Sequence, residues 1–217
     1  MIRDRTIAPA GLWVRVLAFV FDYLPIAAYL AVLVAAGAWL GRSSQPLAKV
    51  LFGGPVAGEA TGFLVITLPV ALYFALFEAS SRQATWGKGR MGLMVTDLAG
   101  TRLSPLRSIG RTVLKFIPWE LAHACIWQVS FSRDPSSAIY VVGFAIVWLI
   151  IGANVVSLLV SPTRQTLYDR VAGTVVVHGR PSLLTSNGVN LTASRWTAQE
   201  RRLRRRLCVS SSLECNT

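Results

Sequence analysis

Charged residues are scarce in this chain. Only 15% of its 217 residues are Asp, Glu, Lys or Arg, whereas soluble domains carry about 25%. Hydrophobic residues, in contrast, make up 53%. A soluble fold of this length could not bury so much apolar surface, so part of its solvent must be lipid. The composition excludes an ordinary soluble domain and predicts an integral membrane protein.

Acidic residues are scarcer still, with ten against 22 lysines and arginines, which gives a net charge of +12. Strongly basic domains often bind nucleic acid. In a membrane protein, however, lysines and arginines collect in the cytoplasmic flanks for reasons of topology. We therefore expect this charge to face anionic membrane lipid, and we expect no nucleic-acid partner.

Cysteine and histidine are too few and too scattered for a metal centre or a disulfide framework. The three cysteines, Cys125, Cys208 and Cys215, form no CxxC pair, and the two histidines are His123 and His178. Neither set has the spacing of a zinc site. No recognisable Ser/His/Asp or Cys/His motif is present. The sequence thus predicts no metal, no cofactor and no enzyme activity.

Three apolar segments are long enough to cross a membrane. Tyr23–Leu40 and Ala60–Phe77 each hold 18 uncharged residues, and Ala138–Val160 holds 23. A helix of 18 residues covers about 27 Å, close to the thickness of the hydrocarbon core. These segments are predicted to be transmembrane helices, the first of which begins near Leu12.

The distribution of charge predicts a fourth crossing. Residues 80–115 carry seven basic side chains and one acidic one, and residues 161–217 carry nine arginines and three acids. The positive-inside rule puts both segments in the cytoplasm, so the chain between them must cross an even number of times. Phe116–Phe131 is therefore predicted to enter the membrane despite Glu120 and His123, as a full span or as a re-entrant hairpin. The result is a multi-pass protein of the cell membrane, with four spans and both termini cytoplasmic.

A small β-element is predicted on the cytoplasmic side. Leu93–Thr96 and Thr101–Leu103 flank a turn and favour a hairpin. The β-branched run Gly173–His178 could pair with it as a further strand.

An amphipathic helix is predicted to follow this hairpin. Ser104 before Pro105 is typical of a helix start. The apolar face of the helix comprises Leu106, Ile109, Val113, Phe116 and Ile117, and its basic face comprises Arg107, Arg111 and Lys115. Such helices lie at the membrane interface. The predicted fold class is an all-α membrane protein, a four-helix transmembrane bundle with an interfacial amphipathic helix and a small cytoplasmic β-element.

The composition changes after residue 180 from apolar to polar and basic. We interpret 1–180 as the transmembrane domain and 181–217 as a basic, mobile cytoplasmic tail. The arginine-rich run 201–206 either contacts anionic lipid, at about 1 kcal/mol per basic residue near the surface, or is a solvated run of charge.

Three pieces of the chain carry polar residues in a fixed order beside the apolar spans. They are RVLAFVFD at 15–22, TWGKGRMGLMV at 85–95 and RQTLYDRVAGTVV at 164–176. In order and spacing they resemble R-x-x-A-x-x-x-D, T-x-G-K-x-x-x-G-x-x-V and R-x-x-L-H-D-x-x-A-G-T-x-V, the patterns of the RDD family of small bacterial inner-membrane proteins. The resemblance covers roughly residues 12–178.

The family is named for one arginine and two aspartates, which are Arg15, Asp22 and Asp169 here. The resemblance implies a role in transport, with cation/proton exchange proposed for some members and no established substrate. The chain departs from the pattern at Tyr168, where a histidine often stands, and this departure puts a proton-carrying role there in doubt. It also carries Trp119–His123, which the commonest members lack.

Four residues are candidates for transport or ion binding. Asp22 lies inside the first span, where a carboxylate is costly, and Arg15 lies seven residues earlier on the same helical face. Asp22 is therefore either paired, with Arg15 or with a cytoplasmic partner, or available to carry a proton or cation. Glu120 and His123 are i, i+3 neighbours. They form either a proton relay or cation site, or a hydrogen-bonded pair at the interface.

A structural ion-pair network is expected at the cytoplasmic ends of the spans. In it, Asp169 would neutralise Lys88 or Arg90, with Arg164 and Arg170 close by. This network would tie the two basic segments together.

Two functions remain open at this stage. The first is transport or exchange of a small cation or solute, with the proton as one coupling ion, by a homo-oligomer that encloses a path. The second is a non-transporting membrane scaffold or assembly factor, which binds lipid or a partner protein through its basic cytoplasmic face. A transporter needs polar residues along a connected path, whereas a scaffold needs only buried pairs.

Overall fold

The computed structural model describes residues 8–179. The elements in chain order are α1 (Leu12–Ser43), α2 (Gln45–Phe52), α3 (Pro55–Gly62), a π-helical turn (Phe63–Thr67), α4 (Leu68–Ala79), α5 (Trp86–Arg90), β1 (Leu93–Asp97), α6 (Pro105–Phe131), α7 (Ala138–Val160), α8 (Leu167–Val171) and β2 (Thr174–His178). The predicted tail 181–217 lies outside the described residues. The fold is mostly helical, with one two-stranded sheet.

Within residues 8–179, three helices are long and apolar enough to cross a membrane. They are Leu12–Ser43, the continuous stretch Pro55–Ala79 that joins α3 to α4, and Ala138–Val160. Large apolar side chains on these helices are exposed, as expected where lipid is the solvent. The three spans predicted from long uncharged segments are confirmed as apolar helices.

The fourth predicted span, Phe116–Phe131, belongs to the 27-residue helix α6, which is not among those three. Its charged residues lower its hydropathy, so the count of four stays a prediction. The predicted start of the helix is confirmed, because the Ser104 hydroxyl accepts a hydrogen bond from the Arg107 amide at 3.3 Å and Pro105 is the first helical residue.

Helix α6 runs antiparallel along the whole Pro55–Ala79 span. Near its start the Ser108 hydroxyl donates to the Ala75 carbonyl at 2.8 Å. Near its end the Trp127 ring lies against Gly58, so closely that a Cβ there would overlap it. Gly58 and Ala75 are about 25 Å apart along a helix at 1.5 Å per residue. Helix α6 therefore extends as far as the span beside it.

Strands β1 and β2 pair antiparallel, with Leu93 opposite His178 and Asp97 opposite Thr174. This pairing confirms the predicted contact between the two β-branched runs. The predicted second hairpin strand, Thr101–Leu103, does not form and is reduced to one bridge between Thr96 and Arg102. The segment before α5 occupies the rest of that edge, because the Val95 amide donates to the Gln83 carbonyl at 2.7 Å.

The N-terminal segment adds to the free edge of β2. The Ala10 amide donates to the Val176 carbonyl at 2.9 Å, and the His178 amide donates to the Ala8 carbonyl at 3.0 Å. Residues 8–10, 93–97 and 174–178 thus lie together, and we call this part of the molecule the sheet end. A small apolar core forms there from Ala10, Ala18, Leu93, Val95, Leu103 and Val176.

Candidate functional site

Asp22 is buried beside the sheet end, with 1% of its surface exposed. Its Oδ1 accepts hydrogen bonds from the Tyr73 hydroxyl at 2.8 Å and from the Gly87 amide at 2.7 Å. Its Oδ2 accepts a third from the Thr85 hydroxyl at 2.6 Å. The carboxylate of α1 is therefore held by α4 and by the first turn of α5.

The turn into α5 is shaped to receive this carboxylate. Thr85 is the N-cap of the helix, and its Oγ1 faces the Lys88 amide as well as Asp22. A Cβ at Gly87 would overlap the Ala18 carbonyl oxygen and lie 2.6 Å from the Asp22 amide nitrogen. Only glycine lets α5 approach α1 this closely. The Thr-x-Gly pattern thus has a structural cause.

Arg15 does not pair with Asp22, and that alternative is wrong. Its guanidinium instead reaches the Asp169 carboxylate at 2.8 Å and the Arg164 carbonyl at 2.6 Å. Asp22 follows Arg15 by seven positions, which is two helical turns or about 10 Å, and helical side chains lean toward the N-terminus. Arg15 therefore points away from Asp22. Within residues 8–179, no cationic group lies at ion-pair distance from Asp22.

Five charged groups form a chain that we call the clasp, in the order Arg15, Asp169, Arg111, Glu78 and Lys88. All but the partly exposed Arg15 are buried. The Arg111 guanidinium contacts Asp169 Oδ1 at 2.8 Å and also binds Glu78, which in turn binds Lys88. Each carboxylate thereby has two cationic partners. The clasp joins α1, α4, α5, α6 and α8, and its three cations exceed its two anions by one.

The ion pairs of the clasp differ from those predicted from the sequence. Asp169 is paired with Arg15 and Arg111, not with Lys88 or Arg90. Lys88 enters through Glu78, while Arg90 lies 5.0 Å from the centre of the Trp86 ring. Arg164 contributes its carbonyl to Arg15, and Arg170 is exposed.

Glu78 and Arg111 were missed by sequence reasoning. In the sequence Glu78 directly follows the second apolar segment, and Arg111 belongs to the predicted basic face of the amphipathic helix. Both are buried. The signal that could have found them was the need of a buried acid at a span end for a partner.

Asp169 is also fixed by its own helix. It forms a capping box with Thr166 at the start of α8, and its Oδ1 accepts from the Thr174 hydroxyl at 3.2 Å. Burial alone would raise the pKa of Asp169, but Arg111 and Arg15 together lower it below its usual value. The carboxylate is therefore held in its charged form.

Glu120 and His123 contact each other on α6, with Nδ1 of the histidine 3.7 Å from the carboxylate. Trp119 lies edge-on to the histidine ring at 4.8 Å. Both side chains are partly exposed. The structure thus places the two residues side by side as predicted, but neither is among the hydrogen-bond partners of Asp22 in the described chain.

A crevice of about 220 Å³ separates α1 from α4 and leads to Tyr73. It is lined by Pro25, Ile26, Tyr29, Pro69, Val70 and Tyr73. Pro69 has no amide hydrogen for the Val65 carbonyl, and the Tyr29 hydroxyl donates to that carbonyl at 2.6 Å instead. The Tyr73 hydroxyl therefore connects the crevice to Asp22.

No cluster of three or more metal-ligating side chains occurs in the part of the chain that the structure describes. The buried carboxylates of Asp22, Glu78 and Asp169 are engaged by hydroxyls, amides and basic groups. The arrangement can hold a proton or a single small cation at one carboxylate, and it can lock helices together through the other two.

Comparison with known proteins supports the resemblance found in the motifs. The chain is 29% identical over 110 residues to the uncharacterized protein YxaI of Bacillus subtilis (strain 168), an alignment that covers 48% of this chain and 73% of that protein. No solved structure matches the chain. The RDD family profile matches residues 9–173, which include all three motifs. The chain is a membrane protein that belongs to the RDD family.

Proposed function

We propose that the protein exchanges a small cation for protons across the membrane, with Asp22 as the carboxylate that binds each in turn. The observation that supports this role is the contrast among the buried acids. Asp169 and Glu78 each bind two cationic groups, whereas Asp22 binds only two hydroxyls and one amide. A carboxylate with neutral partners remains available to a mobile positive ion.

The partners of Asp22 tolerate both of its charge states. The Thr85 hydroxyl can rotate, so it donates to a carboxylate and accepts from a carboxylic acid. The Tyr73 hydroxyl, which donates to Asp22, accepts in turn from the Trp86 amide at 3.0 Å. Binding of a proton and binding of a cation exclude each other at one carboxylate. This mutual exclusion is the requirement for exchange.

The crevice between α1 and α4 is the proposed approach to this site. It reaches Tyr73, whose hydroxyl touches Asp22, and both of its walls contain a proline. Prolines and π-helical turns interrupt the helices of many membrane proteins at functional positions. A movement of α1 against α4 here would expose Asp22.

The proposal includes four spans with both termini in the cytoplasm. Residues 8–10, 93–97 and 174–178 meet at the sheet end, so they lie on one side of the membrane. The chain between the last two segments holds α6 and α7, and α7 is apolar enough to cross. Helix α6 must then bring the chain across the other way, and it extends along the full second span. The excess of basic residues favours the cytoplasm for the sheet end.

Assembly into a homo-oligomer is part of the same proposal. In the most apolar 18 residues of α7, only 6% of the residues are buried within one copy. A single copy also has few helices with which to surround a path. Contacts between copies would cover part of this surface and enclose the crevice.

Flux in reconstituted liposomes tests the role of Asp22. Asn at position 22 still accepts from Tyr73 and Gly87 through its oxygen, but it does not titrate. We therefore expect Asp22→Asn protein to insert and fold yet to lose pH-driven cation flux by tenfold or more. The exposed Asp134 supplies a matched control, since Asp134→Asn should leave flux unchanged. Normal flux in Asp22→Asn would refute the assignment.

A non-transporting scaffold is the second candidate, and the clasp favours it. Five charged groups, four of them buried, tie five helices together, and such a network needs no transport to explain it. The basic sheet end would then hold lipid or a partner protein. Absence of flux for every monovalent and divalent cation tested, from correctly folded protein, would favour this function.

A further inference from the structure

An open crevice of about 420 Å³ lies between the first half of α6 and the short helix α8. Its walls are Arg107, Gly110, Arg111, Val113 and Leu114 from α6, and Val171 and Ala172 at the end of α8. The crevice therefore combines two arginines with several apolar side chains, and of the two arginines Arg111 is engaged in the clasp. It is separate from Asp22 and from the crevice between α1 and α4.

The crevice lies at the same depth in the membrane as the end of the second span, Pro55–Ala79. Ser108 bonds to Ala75, and Arg111 binds Glu78, so this part of α6 lies beside the last turn of α4. The hydrocarbon core gives way to lipid headgroups where an apolar span ends. The crevice accordingly lies at headgroup depth on the side of the sheet end.

Apolar side chains around the crevice face outward and have no cover from the described protein. Leu106 is 80% exposed and Val171 is 74% exposed. On a soluble surface such residues would be costly, but at the membrane interface they lie against acyl chains.

Arg107 provides the positive charge of the crevice. Its side chain is 48% exposed, and its ion pair with Asp97 is loose at 3.6 Å. Exposed pairs of this kind contribute little to stability, so an incoming anion can compete with Asp97. The neighbouring clasp adds one uncompensated positive charge.

We propose that this crevice binds one anionic phospholipid, with its phosphodiester on Arg107 and an acyl chain along Val113, Leu114 and Val171. The apolar walls distinguish this ligand from a free phosphate, which would use the arginine alone. The net negative charge distinguishes it from a zwitterionic lipid of the same chain length. This site does not depend on the exchange proposed for Asp22.

Native mass spectrometry of the full-length protein in detergent tests the proposal. Dioleoylphosphatidylglycerol is titrated against dioleoylphosphatidylcholine, and inorganic phosphate is added in a separate arm. We expect one phosphatidylglycerol to be retained in preference to phosphatidylcholine, and no effect of phosphate. Equal retention of both lipids, or displacement of the lipid by phosphate, would overturn the assignment.

Two variants locate the binding to the crevice. Arg107→Gln should weaken phosphatidylglycerol binding about fivefold, which corresponds to about 1 kcal/mol for one basic residue near the surface. Gly110→Leu should abolish the preference by filling the crevice, and a Cβ at Gly110 meets nothing within 4 Å, so the helix itself is not disturbed.

Arg82 is the matched control, because it is exposed and does not line the crevice. Arg82→Gln removes the same charge and should leave lipid retention unchanged. A loss equal to that of Arg107→Gln would show attraction by total charge and not by a site. A change in oligomer mass for Gly110→Leu, with lipid retention unaltered, would assign the crevice to a second copy of the chain and also overturn the proposal.

Discussion

Removing the Asp169 carboxylate should strongly destabilise the folded protein. The side chain is 0% exposed and binds Arg15 and Arg111 at 2.8 Å each. In Asp169→Ala, Arg15 loses its carboxylate altogether, and Arg111 keeps only Glu78. Breaking a buried ion pair by removing one partner costs about 3–5 kcal/mol. The capping box with Thr166 at the start of α8 is lost as well.

Thermal unfolding of purified protein in detergent measures this effect. For a chain of about 200 residues, 1 kcal/mol shifts Tm by about 2–4 °C, so Asp169→Ala should lower Tm by about 6–20 °C. Asp134→Ala is the matched control, because this exposed aspartate bonds only within its own turn. It should shift Tm by less than about 4 °C, for a loss under about 1 kcal/mol.

A double-mutant cycle separates the ion pair from the cap. If Asp169 acts through Arg15, the double variant Asp169→Ala/Arg15→Ala should lose less stability than the sum of the losses in the two single variants. The coupling between contacting residues is commonly about 0.5–3 kcal/mol. A Tm of Asp169→Ala within 2 °C of the wild type, or strictly additive losses, would refute the clasp as a source of stability.

Three further predictions follow from other contacts. Gly87→Ala should abolish folded yield because its Cβ overlaps the backbone of α1, whereas Gly89→Ala should express normally since nothing lies within 4 Å of its Cβ; equal yields would contradict this packing. Tyr29→Phe should lower stability by about 1 kcal/mol, as the Val65 carbonyl loses its donor, and an unchanged Tm would count against that bond. Because the folded pKa of Asp169 is lowered, its stabilisation is present above about pH 4 and is lost as pH falls further; Tm should therefore fall less steeply in Asp169→Asn than in the wild type.

The sequence predicted those features that depend on local patterns. Ser104 and Pro105 mark the start of α6 because an N-cap and a proline act on their own turn. The strand pair β1–β2 followed from two β-branched runs assigned to the same side of the membrane. The three apolar spans followed from the length of their segments and the lack of charged residues in them.

The partners of the buried charges could not be predicted in the same way. Arg15 and Asp169 are 154 residues apart in the chain, and Arg111 lies 58 residues from Asp169. Spacing along one helix placed Arg15 on the face of Asp22, but it could not show that the side chain reaches toward the N-terminal end. Ion pairs between helices depend on how the helices pack, and a single sequence does not encode that packing in any local pattern.

Under the proposed exchange, the two kinds of buried carboxylate belong to a fixed part and a movable part of the molecule. The clasp ties α1 to the sheet end through Arg15, whose bonds to the Asp169 carboxylate and the Arg164 carbonyl would have to break if α1 moved there. Pro25 in α1 and Pro69 in α4 lie farther from the sheet end than the clasp does, and both line the crevice. Each proline removes one helical hydrogen bond. Under the proposed exchange, the clasp is therefore the pivot, and α1 and α4 separate beyond it. Variants of the clasp should change stability more than cation selectivity, and variants of Asp22 should do the reverse.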